Sequence, residues 1–305
     1  MDIDYKLNTL NLDNTMSDAI QLLQADGDKY LTPEALETYS PKFLNMLENI
    51  TDRDHRGLHL IYSQFRTLEG IGVFKLVLEA NGFAEFKIVN SSTGWVMDIA
   101  DEDRGKPMFV LYTGTESAEQ KEIVRNVFNG DWKYVPPTLE EQLRQISSNN
   151  NMGEIIKVFM ITSAGAEGIT LKNVRAVHLM EPYWHPVRFE QVIGRAVRIC
   201  SHENLPEIEQ KVIVYVYLMR FTQKQLKGNP ESKDEGGKKP LVSTLIMKND
   251  RSKDKKRIIT SDEKLYEIAN IKKKINASIL HAIKESSIDC KVHKKDGDNL
   301  QCFTI

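Results

Sequence analysis

The chain has 305 residues, of which 41% are hydrophobic and 28% charged, and its formal net charge is −2. That is enough apolar material for a core and enough length for one large domain or two ordinary ones. No apolar stretch approaches the roughly 20 residues needed to span a membrane, the polar and acidic stretch Met1 to Asn14 is not a secretory signal, and three cysteines, Cys200, Cys290 and Cys302, argue for a reducing, intracellular compartment.

Residues 1–39 are polar with little periodicity and read as an N-terminal connector. Pro41 to Ile50 places Phe43, Leu44, Met46 and Leu47 at helical spacing, so a helix packed on the core is expected. Leu58 to Tyr62 is the first core strand. His55 and His59 have helical spacing, but Gly57 lies between them and no Glu follows the first, so both are expected at the surface near the strand start. Leu68 to Asn81 reads as a helix with Ile71, Phe74 and Leu78 on one stripe and Gly82 as its stop. Phe83 to Lys106 reads as an insertion, within which Asp101 to Arg104 is a charged turn. A strand at Pro107 to Tyr112 and a helix at Ser117 to Asn129 follow, and Asp131 to Gly153 is irregular or partly helical.

Ile155 to Ile161 is an apolar, β-branched run of the kind found in buried parallel strands. It ends in a loop of small residues, Thr162 to Thr170. Small residues let a backbone approach a ligand closely, and Thr162 and Ser163 carry hydroxyls suited to phosphate oxygens. A strand from Arg175 to Met180 leads into Glu181-Pro-Tyr-Trp-His-Pro186, and a helix begins near Pro186. On it, Gln191, Gly194, Arg195 and Arg198 share one face, with Val192, Ile193, Ala196 and Val197 supplying packing. Two adjacent guanidiniums suit a phosphate ligand between them. A solvated basic helix face is the alternative, and the eight residues alone leave the two level.

Lys211 to Met219 is the last core strand. Thr222 to Asp262, rich in Lys, Gly, Asp and Ser, looks like a flexible insertion. Leu265 to Ser286 reads as a helix with Leu265, Ile268, Ile271, Ile275, Ile279 and Ile283 along one side, expected to pack back across the preceding domain. Between Thr222 and Leu300 there are 19 Lys/Arg against 12 Asp/Glu, which leaves the remainder at −9. Such a basic tail suits nucleic acid or an acidic partner, and a solvated surface is its commoner meaning. His281, Cys290, His293 and Cys302 do not have a standard zinc spacing, and no metal site is expected. Strands alternating with helices imply an α/β fold with a parallel sheet covered on both faces.

Four of these segments, in this order, resemble the second RecA-like lobe of superfamily 2 helicases and translocases. Ile61 to Phe65 is similar to that family's motif IV, and Phe109 to Thr115 to the segment called IVa. Thr162 to Ile169 is similar to motif V, and Gln191 to Arg198 to motif VI. Glu181 to His202 is closest to the Swi/Snf-like branch, except that His185 stands where that branch has asparagine. The tail, Leu265 to Asn270 and Ser287 to Cys290, resembles helicases of large DNA viruses, relatives of the poxvirus nucleoside triphosphatase I and early transcription factor ATPases. The resemblance covers roughly Ser40 to Leu218.

The resemblance implies an ATP-dependent activity on nucleic acid, DNA by family analogy. It makes Arg198 the arginine finger, Arg195 its partner on the phosphates and Gln191 the residue that orients the site or the attacking water. Gly165, Glu167, Gly168 and Gly194 would lie at the nucleotide. Ser63, Gln64, Thr113, Gly114, Thr162 and Ser163 would contact the strand backbone, with little sequence preference. The chain has no Gly-x-x-x-x-Gly-Lys-Ser/Thr phosphate loop: Gly105-Lys106 is followed by Pro107, and Gly237-Lys238 by Lys239. Asp101 to Arg104 only imitates a magnesium-binding acidic box. ATP with Mg2+ is therefore expected to be held mostly by a first RecA-like lobe, in cis or in trans. The resemblance also implies a viral protein of the virion or host cytoplasm, with viral transcription machinery as a partner. The domain boundaries expected are 1–39, 40–221 for the lobe, 222–262 for the insertion and 263–305 for a helical tail. The alternative is a stand-alone module that binds nucleic acid or a transcription complex without hydrolysing anything.

Overall fold

The computed structural model describes residues 18–67, 70–114, 116–163, 168–222, 259–295 and 299–303. Its longer elements, in chain order, are α1 (Pro33–Tyr39), α2 (Pro41–Thr51), β1 (Leu58–Tyr62), α3 (Ile71–Ala80), β2 (Ala84–Glu85), β3 (Ile88–Ser91), β4 (Gly94–Met97), β5 (Met108–Tyr112), α4 (Ala118–Asn129), α5 (Pro137–Arg144), β6 (Ile156–Ile161), β7 (Val174–Leu179), α6 (Pro186–Ala196), β8 (Ile213–Val216) and α7 (Ser261–Ser286). The chain divides into two compact units, Met1–Glu181 with Gln191–Tyr217, and Pro182–Glu190 with Leu218–Ile305.

In the first unit six strands form one sheet in the order β2-β5-β6-β1-β7-β8, and every pairing is parallel. The α/β expectation is met. Leu58, Leu60, Ile61, Val158, Phe159, Met160 and Ile161 are fully buried, which is why these strands read as continuous apolar runs and not as alternating ones. From α2 and α3, Met46, Leu47, Ile50, Phe74, Val77 and Leu78 join Ile61, Phe109, Val158, Met160 and Met180 in one core cluster. Local signals set the helix ends. Ser40 Oγ accepts from Phe43 N–H ahead of α2 and Ser117 Oγ accepts from Gln120 N–H ahead of α4, each satisfying an otherwise orphaned donor. Gly130 ends α4 at φ 69°, a left-handed conformation that favours glycine.

Two expectations need correction here. His59 is not at the surface: it lies within β1, fully buried, with its ring against His178. The segment 83–106 is not wholly an insertion either. Ala84 and Glu85 pair in parallel with Met108 and Phe109 and supply the edge strand of the sheet. Two residues are too short a run to show strand periodicity. Only β3 and β4 stand apart, as an antiparallel hairpin turning at Gly94. Asp101–Asp103 form an exposed 3-10 turn.

In the second unit α7 begins with a capping box: Thr260 Oγ1 accepts from Glu263 N–H, and the Glu263 carboxylate accepts from Thr260 N–H, each at 3.1 Å. Lys272 Nζ sits 3.8 Å over the Trp184 ring. The isoleucine stripe, expected to be packed, is open: Ile271, Ile275, Ile279 and Ile283 are 51–58% exposed. Cys290 and Cys302 are joined by a disulfide. That corrects the reading of three reduced cysteines, since only Cys200 is free, and it removes both thiols from any zinc set. The segment read as a flexible insertion falls largely on 223–258, outside the described residues.

Candidate functional site

Tyr112, Ile161, Tyr62 and Leu179 are register partners across β5, β6, β1 and β7. The residues that follow them, Thr113, Thr162, Ser63 and Met180, therefore leave the sheet side by side. This is the carboxyl edge, where parallel sheets bind ligands. Hydrogen bonds tie the four exits together. Thr162 Oγ1 donates to Thr113 O at 3.3 Å, Ser63 N–H to Ile161 O at 3.2 Å, and Met180 N–H to Tyr62 O at 3.0 Å.

Glu181 is the hub of this edge. It is 8% exposed, and both its oxygens lie 3.1 Å from Ser63 Oγ, while Gln64 N–H donates to Oε1. A carboxylate is an acceptor only and needs donors when buried, which the backbone and hydroxyl groups supply here. Phe65 N–H donates back to Ser63 Oγ at 3.0 Å. Gly70 packs on this turn so closely that a Cβ would collide with Phe65 O and Ser63 Oγ.

At the end of β5 the Glu116 carboxylate accepts from Gly114 N–H at 3.0 Å, Thr113 N–H at 3.2 Å and Thr113 Oγ1 at 3.1 Å. Burial works to raise the Glu116 carboxyl pKa, but these donors prevail and hold it below the usual glutamate value.

The end of α6 is fastened to the loop that follows β6. Leu171 N–H donates to Arg195 O at 3.1 Å, and Asn173 N–H to Ser201 O at 2.8 Å. His202 Nε2 lies 2.7 Å from Val174 O, so it carries the proton and leaves Nδ1 to accept from Ser201 Oγ at 2.8 Å. Asn129, at the end of α4, donates to Thr170 O at 3.0 Å and accepts from Lys172 N–H at 2.9 Å. On this frame the exposed Arg198 donates from Nε to Gly194 O at 3.1 Å and from Nη1 to Thr170 Oγ1. Arg195 is half-buried, and its Nε has no hydrogen-bond partner among the described residues. Gln191 is exposed, and a side chain at Gly194 would meet no atom within 4 Å.

The sequence-derived residues thus fall into two groups. Gly194 and Arg195 lie on the last turn of α6, and Arg198, expected on the same helix, lies just beyond its end, where it meets Thr170. Ser63, Gln64, Thr113, Gly114, Thr162 and Ser163 line the carboxyl edge. Within that edge the Ser63 and Thr162 hydroxyls are buried and spent on protein partners, whereas Gly114 and Ser163 are exposed and Gln64 is half-buried. Gly168 is exposed at φ 75°. Gly165 and Glu167 lie outside the described residues. Sequence reading gave no role to Glu116, Asn129, Thr170, Ser201 or His202. Their contacts are to groups distant in sequence or within a turn, and no periodicity marks such contacts.

Residues 44–200 match the helicase conserved C-terminal domain. The chain belongs to that family. Relatives of this helicase C-terminal domain are viral. A protein named an ATP-dependent RNA helicase of Acanthamoeba polyphaga mimivirus is 34% identical over 191 residues, covering 63% of this chain and 28% of the relative. A second mimivirus protein with such a name is 29% identical over 287 residues, covering 93% and 28%. A termination factor NPH-I homolog of African swine fever virus is 27% identical over 311 residues, covering 95% and 37%. The chain therefore spans 28–37% of the length of these relatives. The solved C-terminal part of the Fun30 ATPase domain aligns at a TM-score of 0.39 with 14% identity, covering 88% of this chain and 61% of that one. No helix among the described residues is long and apolar enough to cross a membrane.

Proposed function

We propose that this helicase C-terminal domain is the second lobe of a nucleic-acid-dependent ATPase, and that it supplies Arg195 and Arg198 to a nucleotide shared with a first lobe. The observation that carries the reading is the arginine pair itself. Arg195 lies on the last turn of α6 and Arg198 two residues beyond its end, and that end is fastened to the loop after β6 by Leu171, Asn173 and Thr170. One guanidinium nitrogen of the pair, Arg195 Nε, is buried without a partner among the described residues. Permanent planar cations on a rigid frame suit a phosphate chain. Magnesium-bound ATP would supply the phosphoryl group whose transfer to water releases energy. Arg195 and Arg198 would then offset the negative charge that grows on the transferred group, at little reorganisation cost because the helix end is already pinned. Gln191, exposed on the same face, would orient the site or the water. Gly114, Ser163 and Gln64 would hold the strand backbone, DNA by family analogy, although the mimivirus relatives are named RNA helicases.

The test is ATP hydrolysis by the full-length protein, with and without single-stranded DNA or RNA. Arg198→Ala is expected to abolish turnover and leave ATP binding nearly intact. Normal turnover in that variant would sink the assignment. A second reading, a stand-alone module without hydrolysis, is favoured instead if this chain binds nucleic acid in a salt-sensitive manner and no first lobe restores ATPase activity.

A further inference from the structure

The Thr113 and Gly114 N–H groups and the Thr113 hydroxyl converge on one point, and that point is filled by the Glu116 carboxylate. Successive backbone N–H groups of this kind form an anion-binding concavity. Gly114, at φ 108°, is what lets the two amides turn toward the same anion. The concavity adjoins a cleft of about 420 Å3 lined by Arg66, Lys87, Gln120 and Lys121 but also by Glu85 and Asp98, with Lys87 paired to Glu85 at 3.0 Å. Arg66 and Lys121 thus stand beside the concavity as cations for an incoming phosphodiester, while a carboxylate already occupies the backbone donors at its edge.

We infer that Glu116 is a built-in competitor for strand phosphate: a backbone phosphodiester enters beside Arg66 and Lys121 and takes the Thr113 and Gly114 donors only by displacing Glu116. This rests on the reading of Thr113 and Gly114 as strand contacts and deepens it. A donor N–H cannot serve two anions at full strength, and two anions side by side repel. The grip of the lobe on the strand is therefore weaker than its donors allow. For a lobe that must release and re-grip a strand in each cycle, the returning carboxylate satisfies the vacated N–H groups and lowers the barrier to letting go.

The experiment is fluorescence anisotropy of the full chain with labelled single-stranded oligothymidine and with a duplex of the same length. It compares wild type, Glu116→Gln, Glu116→Ala, Lys121→Ala and the control Glu122→Gln, which removes a carboxylate from the helix that follows Glu116, outside the concavity. Glu116→Ala and Glu116→Gln are expected to bind about fivefold more tightly, and Glu122→Gln to change affinity by less than about twofold. A gain in affinity cannot arise from misfolding, so the expected direction is itself informative. Wild-type affinity in both Glu116 variants, together with weaker binding by Lys121→Ala, would overturn the competitor role and leave the strand interface standing. Equal gains in Glu116→Gln and Glu122→Gln would reduce the effect to net charge and overturn it too. No binding by any variant would overturn both readings.

Discussion

His59 Nδ1 lies 3.0 Å from His178 Nε2, across β1 and β7 in the centre of the sheet. Asn49 Nδ2 donates to Tyr217 Oη at 3.1 Å, and Tyr217 Oη lies 2.8 Å from His178 Nδ1. His59 Nε2 is buried with no hydrogen-bond partner among the described residues. Burial, assisted by the charge of His55, lowers the His178 pKa to about 3, and burial with the neighbouring His178 and Lys157 lowers His59 well below its usual value.

This arrangement makes the fold acid-labile. A folded-state pKa below the unfolded value of 6.5 means that the unfolded chain binds more protons below that pH. The stabilisation is complete above 6.5 and is lost as pH falls toward about 3. His178 alone accounts for about 2 kcal/mol between pH 7 and pH 5. Urea unfolding across that range measures it, and His178→Phe is expected to flatten the slope. An equal slope in wild type and variant would show that other groups set the acid limit.

Cys200 adopts φ 60°, a left-handed conformation that strains a side chain with a Cβ. It follows the arginine helix and is exposed and unpaired. Cys200→Gly is expected to stabilise the domain by about 1 kcal/mol, the steric relief being partly offset by the greater freedom of glycine when unfolded. The other residue of this kind, Asn173 at φ 57°, belongs to a type that tolerates the region. Asn173→Gly is expected to gain less in the same thermal melt.

How much of this was legible depends on how local each signal is. The strands were readable because Leu58–Tyr62 and Ile156–Ile161 are buried almost throughout, so each run is apolar except for one residue, His59 in the first and Lys157 in the second. The spacing of Gln191, Gly194 and Arg195 gave a helix, but not its end: the helix stops at Ala196, so Arg198, expected on the same face, follows it in a turn. Asn150 was not readable. It donates to Phe128 O and Ile156 O and accepts from Ile155 and Ile156 N–H, all at 2.9–3.1 Å, and so orders a segment that reads as irregular. A polar residue that satisfies four backbone groups looks in sequence like any loop asparagine. His59 was misread for the opposite reason, since a histidine on an apolar strand is buried only if another element supplies a partner. That partner, His178, is 119 residues away.

Glu181 links the ends of β7 and β1, and its loss has a calculable cost. Glu181→Gln keeps the shape but replaces one acceptor oxygen with an NH2 group facing Ser63 Oγ or Gln64 N–H. Hydrogen bonds to a charged acceptor contribute about 1.5–3 kcal/mol, so a loss of about 2 kcal/mol is expected in urea unfolding. Ser63→Ala removes the hydroxyl but leaves the Gln64 bond, and is expected to cost about 1 kcal/mol. Additivity in the double variant would show that the two side chains do not act as one unit.

Thr170 offers the sharpest separation of position from chemistry. Its hydroxyl accepts from Arg198 Nη1, while its carbonyl is separately held by Asn129. Thr170→Val therefore removes one of the two anchors of Arg198, leaves the Gly194 anchor, and changes little in the backbone. Stability is expected to fall by less than about 1 kcal/mol, the ordinary worth of one exposed hydrogen bond. If Arg198 acts on a nucleotide, misplacing its guanidinium lowers kcat of nucleic-acid-stimulated ATP hydrolysis by about tenfold in the full-length protein, with the KM for ATP little changed. Thr170→Ser retains the acceptor and should recover most of the rate. Full activity in Thr170→Val beside an inactive Arg198→Ala would mean that the Thr170 contact is a resting position that catalysis does not use. Full activity in both would remove Arg198 from the chemistry altogether.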